Sequence, residues 1–357
     1  MSWEEARAEF PVFERYAYLN AGTNGPIARA TARAMAEQGR RDLESGRGGG
    51  AYFDRALALR NEVRAKLAAA VGVPPGLMSL ATSTTNGCNI VLAGLGLGPE
   101  DEVITTDGEH FGLLGALAAS SAQVRVVAVR ELPPEESLEV LLREVTPRTR
   151  LFALSHVCWM TGNRFPAAEL REETGLPVLL DGAQSAGALD VDATAFDFFA
   201  FSCQKWLCGP DATGGLVVLD PEALAVAAPS YLSQQAYEPT GAFTAREGAA
   251  RFDSNWTPVP TLAGLSAALD VKPEGRFERA LEMTARCREL LGERVVTAAR
   301  QATLVTFRVE GDAAEVVKQL YESDVVVRNV PGEPWIRVSC GWWTSDEDLE
   351  RLVGALP

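Results

Sequence analysis

Two histidines and six cysteines among 357 residues leave little material for a metal centre or a disulfide framework. The cysteines, at 88, 158, 203, 208, 287 and 340, are too sparse for the cross-linked scaffold of a small secreted domain, so free thiols are expected. Cys203 and Cys208 have no second pair near them, and no metal site is expected. Long apolar runs are missing too. Nothing approaches the ~20 residues of a membrane span, and the opening MSWEEARAEFPVF has neither the basic start nor the apolar middle of a signal peptide. A cytoplasmic protein with no membrane partner is expected. Positive charge is the last shortage: 33 Lys and Arg stand against 48 Asp and Glu, a net charge of −15. Such a body is repelled by nucleic acid and by anionic membrane surfaces, so neither is expected as a partner.

What is present is an ordinary globular composition, 47% hydrophobic and 23% charged, in a chain longer than a usual single domain. From about residue 75 to 220, short β-rich runs alternate with amphipathic stretches. The spacing predicts strands at Val103–Thr106, Val124–Val129, Leu151–Val157, Val178–Asp181, Phe198–Ser202 and Gly215–Leu219. Helices are predicted at Phe111–Ser120, Leu138–Val145 and Ala167–Thr174. This rhythm implies an α/β fold, a mostly parallel sheet covered by helices on both faces, with ligands bound beyond the carboxyl ends of the strands. Helices at Thr261–Leu269 and Arg276–Leu291 and strands at Thr303–Val309, Val325–Val327 and Trp335–Ser339 predict a smaller α+β domain. It closes on a helix opened by Ser345, whose first turn carries Asp346, Glu347 and Asp348. The expected division gives residues 20–255 to the large domain and 1–19 with 256–357 to the small one. The four-glycine stretch Glu44–Tyr52 reads equally as a mobile loop at a site or as a linker between helices.

The most informative stretch is LLDGAQSAGALDVDATAFDFFAFSCQKWLCGP. Asp181 closes one apolar run, and Lys205 follows the next run after Ser202. A lysine directly behind a buried run needs a reason, because an unpaired ammonium is costly there. An imine with an aldehyde cofactor is one such reason; a helix-capping Asp181 and a surface Lys205 read the stretch equally well. Upstream, ATSTTNGC sets Thr84 and Thr85 at the start of an apolar helical pattern, where backbone N–H groups and the helix dipole bind phosphate, although such residues also begin helices that bind nothing. His110 follows another predicted strand, as a ring partner for a cofactor or as a plain capping residue.

Together these segments resemble the class V group of fold-type I pyridoxal-phosphate enzymes, which holds cysteine desulfurases, selenocysteine lyases, cystine lyases and isopenicillin-N-epimerase-like proteins. The resemblance runs from AYLNAGTNGPIAR to WIRVSCGWWTSDEDLERL and is most specific at DGAQSAG and FSCQKWLCGP. It implies pyridoxal 5'-phosphate as the cofactor, attached to Lys205, with Asp181 on the pyridine nitrogen, Gln184 on the ring hydroxyl and His110 stacked on the ring. It further implies Thr84, Thr85, Ser202 and Gln204 as phosphate ligands. Arg337, in IRVS, matches the arginine that clamps the α-carboxylate of an amino-acid substrate. Thr257, in NWTPVP, matches a threonine that reaches the phosphate of a neighbouring subunit, which implies a homodimer with shared active sites. Two departures bear on the reaction. VRNVPGEPW, residues 327–335, holds no counterpart of the mobile catalytic cysteine of desulfurases, and Trp159 stands where those enzymes have an asparagine near the substrate. The resemblance therefore leans toward the lyase and epimerase-like branch.

The expected function is C–S bond cleavage by β-elimination, with Lys205 as general base and pyruvate, ammonia and a sulfur product released. Alternatives are a desulfurase or selenocysteine lyase using a cysteine from elsewhere, an aminotransferase or amino-acid epimerase, and, outside enzymes, a cofactor-binding scaffold protein.

Overall fold

The computed structural model describes residues 1–298 and 302–357. Its centre is a seven-stranded sheet in the order Met78–Ala81, Gly214–Val218, Phe198–Ser202, Val178–Asp181, Thr149–Ser155, Glu102–Thr106, Gln123–Val127. Alternation along these strands distributes side chains to two cores. Leu180, Phe199 and Phe201 face one layer, with Leu67, Leu141 and Leu170 from the helices Gly50–Ala70, Pro134–Arg143 and Ala167–Thr174. Leu179, Phe198 and Ala200 face the other, with Val91 and Leu113 from Thr84–Leu95 and Phe111–Ala119. A sheet buried on both faces explains why its strands read as near-continuous apolar runs.

The strands from Phe198–Ser202 through Gln123–Val127 are all parallel, and only Gly214–Val218 runs against its neighbours. The segment from Cys203 to Thr213 contains no helix, and a connection this short returns the chain antiparallel. The sequence reading omits the edge strand Met78–Ala81, which pairs with it. The predicted helix at Leu138–Val145 begins earlier, at Pro134, because proline needs no N–H partner in a first turn, where Glu135 and Glu136 also suit the dipole. Only four residues of the glycine-rich stretch, 46–49, lie outside helices: Glu44 and Ser45 end Arg29–Ser45, and Gly50 to Tyr52 begin Gly50–Ala70. The stretch is a link between helices.

Leu304–Arg308, Trp335–Ser339 and Arg328–Val330 form a three-stranded antiparallel sheet backed by Arg276–Leu291, Ala313–Glu322 and Asp346–Gly354. The predicted run Val325–Val327 divides. Val325–Val326 pairs in parallel with Ala17–Tyr18, which ties the chain start to this second core, while Arg328–Val330 joins the sheet. Ser345 caps the final helix in a reciprocal arrangement with Asp348. Helix Val259–Asp270, beyond the expected division at 255, packs against Arg29–Ser45 and Gly50–Ala70 of the larger body. Among the described residues no helix is long and apolar enough to cross a membrane.

Candidate active site

The carboxyl ends of four neighbouring parallel strands deliver Thr106, Ser155, Asp181 and Ser202 to one edge of the sheet. Beside them lies a cavity of about 260 Å³. Ten of the eleven residues singled out from the sequence line it: Thr84, Thr85, His110, Trp159, Asp181, Gln184, Ser202, Gln204, Lys205 and Arg337. Thr257 does not. It is buried in the loop before Val259–Asp270, where Asp253 accepts hydrogen bonds from Arg60 and Arg64 at 2.9 and 2.8 Å and fixes the loop's start against Ser79 and Leu80.

Helix Thr84–Leu95 begins at the cavity with Ser83 as its cap. The Thr84 N–H donates to Ser202 Oγ at 2.9 Å, and the two hydroxyls lie 2.9 Å apart, so the helix start and the strand end form one polar wall. The buried Oε1 of Gln204 has no partner among the described residues. Gln184 is held at both ends of its amide: Oε1 accepts from the Trp206 indole at 3.0 Å, and Nε2 donates to Gly22 O at 2.8 Å, leaving one N–H free for a ligand.

Electrostatics divides the cavity. Asp181 is buried and accepts from the Ala183 N–H at 2.9 Å; burial raises its carboxyl above the ordinary range, partly opposed by Lys205. Burial lowers Lys205 to about 8 against the pull of Asp181, and Arg337 and Arg328 lower it further. Burial also lowers His110 to about 4, reinforced by Lys205, Arg328 and Arg337, so its ring is neutral. His110 caps Phe111–Ala119 by accepting from the Gly112 N–H on Nδ1, which leaves the proton on Nε2, and the ring meets Trp159 edge to face at 5.5 Å. His110 is thus a capping residue whose ring also lines the cavity.

Arg337 is 1% exposed. Its guanidinium donates to Trp159 O at 3.0 Å and Thr23 Oγ1 at 3.1 Å, and among the described residues its Nε has no partner and no carboxylate pairs with it. Burial, with Arg328 nearby, lowers it to about 9. A guanidinium so placed calls for an anion from outside the chain.

Sequence reasoning missed several lining residues, among them Gly22, Thr23, Ser83, Ser155 and Arg328. Arg328 lies 5.3 Å over the Trp159 ring and shares Thr23 with Arg337. The available signal was the pair of glycines in NAGTNGP. A Cβ on Gly22 would stand 2.9 Å from Gln184 Oε1 and 3.0 Å from Arg337 Nη2, and one on Gly25 would stand 2.0 Å from Lys205 O. Side chains there would displace the site.

The donor set fits pyridoxal phosphate: a buried carboxylate for a ring N–H, a desolvated lysine for an aldehyde, and hydroxyls with a helix start for a phosphate. Comparison with known proteins agrees with the geometry. A family model described as aminotransferase class-V matches residues 18–351. Isopenicillin N epimerase of Streptomyces clavuligerus is 30% identical, over 99% of this chain and 97% of its own length. A probable cysteine desulfurase of Methanothermobacter thermautotrophicus is 26% identical, over 76% and 70%. The cystine C-S lyase C-DES, solved with its reaction product cysteine persulfide, superposes with a TM-score of 0.89 at 29% identity, covering 97% of this chain and 98% of that one. A mutant of C-DES carries glycine covalently linked to its PLP cofactor.

Proposed function

We propose that this chain, which belongs to the class-V aminotransferase family, is a pyridoxal-phosphate enzyme that cleaves the C–S bond of a cysteine-type amino acid by β-elimination. The state of the thiols carries this reading. All six cysteines are buried and none lines the cavity that holds Asp181 and Lys205. Burial pushes the Cys203 thiol up to about 12 and raises Cys88, Cys158 and Cys208 as well. A thiol that stays protonated and enclosed cannot attack a substrate's sulfur. β-Elimination requires no such attack.

When bound, pyridoxal phosphate supplies an electron sink for the pair left on the substrate's α-carbon. Thr84, Thr85, Ser202 and Gln204 would hold its phosphate, and the N–H of Gln184 left over would serve its ring hydroxyl. Asp181 would keep a proton on its ring nitrogen. Neutral His110 would lie beside the ring without adding charge. Lys205 Nζ is the attachment atom. As a free amine it would take the substrate's α-proton, and a pKa near 8 leaves a working share of neutral amine at neutral pH. Arg337 receives the α-carboxylate, and Trp159, whose carbonyl orients Arg337, walls the substrate side. In the same reading the enzyme is a homodimer in which Thr257, on its anchored loop, serves the neighbouring subunit's phosphate.

Arg337→Ala is expected to raise KM about 10- to 150-fold for each amino acid that is turned over, the equivalent of a charge-assisted hydrogen bond of about 1.5–3 kcal/mol. Steady-state kinetics with cysteine and cystine checks this; an unchanged KM removes Arg337 from substrate binding.

A product assay tests the reaction itself. With cysteine or cystine, pyruvate is the expected carbon product, and single replacements of Cys158, Cys203, Cys208 and Cys340 by Ser or Ala are expected to retain substantial cleavage. Alanine as the main product, with activity lost in one cysteine variant, would replace this reading with desulfuration. Epimerisation is the second reading, favoured by the 30% identity to isopenicillin N epimerase over nearly the whole chain. Inverted configuration at Cα without pyruvate would establish it.

A further inference from the structure

Beneath the cavity lies a carboxyl group that the proposed reaction does not use. Glu109, one residue before His110, turns inward and is 6% exposed. Oε1 accepts from Thr106 Oγ1 at 2.5 Å and Oε2 from Ser155 Oγ at 2.6 Å. Among the described residues no lysine or arginine pairs with it. Thr106 ends one parallel strand and Ser155 ends its neighbour, while Ser155 is also the register partner of Asp181 on the next strand. Glu109 thus binds the turn that carries His110 to the strand end beside Asp181. Ser155, its second partner, lines the cavity.

We propose that Glu109 is a positioning residue: its carboxyl clamps the His110 turn to Ser155 and, by gaining or losing a proton, sets the field felt by Asp181. The groups that face it are few. Asp181 approaches from the adjacent sheet edge, Cys88 from helix Thr84–Leu95, and Cys158 from the segment after Ser155; both thiols are buried and protonated. Lys205 attracts Asp181. A charge on Asp181 makes a second charge on Glu109 costly, which favours a proton there. Burial raises Glu109 to about 7, opposed by the two hydroxyl donors, and Asp181 adds to the rise. Below that pH Glu109 is a neutral clamp. Above it, its negative charge strengthens the hold of Asp181 on any proton shared with a bound ring nitrogen.

The role rests on the cavity being the cofactor site, whereas the proton on Glu109 does not, so the test reads them separately. Infrared spectroscopy of the full-length chain, with and without pyridoxal phosphate, is expected to show a protonated carboxyl C=O band that disappears as pH rises through about 7. Glu109→Gln keeps the shape and should remove that band. Ser155→Ala removes one hydrogen-bond donor and should move its midpoint up by about one pH unit, because the lost bond favoured the charged form. In the holoenzyme, the pH dependence of the visible absorption near pH 7 should flatten in Glu109→Gln and shift upward in Ser155→Ala. A band present in wild type and unchanged in both variants overturns the assignment of the proton to Glu109. A band that behaves as expected while the cofactor's absorption is indifferent to both variants overturns the coupling to Asp181. If Glu109→Gln does not fold, the shift in Ser155→Ala decides alone. Absence of cofactor absorption in the wild type would instead refute the cofactor site and leave the band to judge the proton.

Discussion

Lys205→Ala is expected to give a folded protein that is colourless after purification from cofactor-containing medium and has lost turnover by a factor on the order of a thousand or more. The folding part follows from position. Among the described residues Lys205 makes no ion pair within salt-bridge distance, it faces the cavity, and burial makes its ammonium a cost to the native state. Removing it relieves that cost, and Asp181, left without its cation, takes up a proton more readily. The functional part follows because Nζ is proposed both as the attachment atom and as the base, and among the described residues the cavity offers no second lysine. The lowered pKa adds a sign that can be checked in the wild type. Only the neutral amine adds to an aldehyde, so the rate of cofactor uptake by the stripped protein should climb with pH and level off above about 8. Visible absorption, borohydride reduction and peptide mapping test this; a reduced cofactor found on another lysine would move the site.

Asp181→Asn should still bind cofactor through the phosphate wall yet lose turnover by about a hundredfold or more, because an amide cannot hold a proton on the ring nitrogen through charge. The native environment sharpens the expectation. Asp181 is buried, keeps one backbone donor from Ala183, and depends on Lys205 for compensation in the free chain. The amide preserves volume but leaves the Lys205 ammonium without its compensating charge, so the lysine should lose its proton at lower pH in the cofactor-free variant. Wild-type turnover in Asp181→Asn would end the electronic role. A large loss of cofactor affinity with normal turnover at saturation would recast Asp181 as a binding group alone.

Much of this was legible because local chemistry and tertiary need coincide. Val178–Asp181 and Phe198–Ser202 begin and end where their apolar runs do, since a strand buried on both faces admits few polar residues until it leaves the sheet. Asp181 and Ser202 therefore mark the sheet edge in the sequence itself, and Lys205 lies one turn beyond. The final helix was equally plain, because Ser345 and Asp348 satisfy each other within four residues. The Glu44–Tyr52 stretch was harder to read. Glycine signals a permissive backbone, and three of its residues nonetheless open a helix once tertiary packing holds Tyr52 and Ala56 against Val259.

The resemblance to a known family supplied roles that periodicity alone left balanced against capping and surface alternatives. By itself, then, the sequence determined the class of fold, the strand ends and the identity of the groups with chemistry to perform, since hydrophobic burial and capping act over a few neighbouring residues. Tertiary structure alone decided which of those groups meet. Thr23 and Arg337 share a hydrogen bond across more than three hundred residues, Gly22 makes room for Gln184 and Arg337, and Glu109 joins the His110 turn to a strand 46 residues later. No local pattern encodes such meetings, because they arise when the sheet brings distant chain ends to one edge, where the cost of each buried charge depends on the neighbours that close over it.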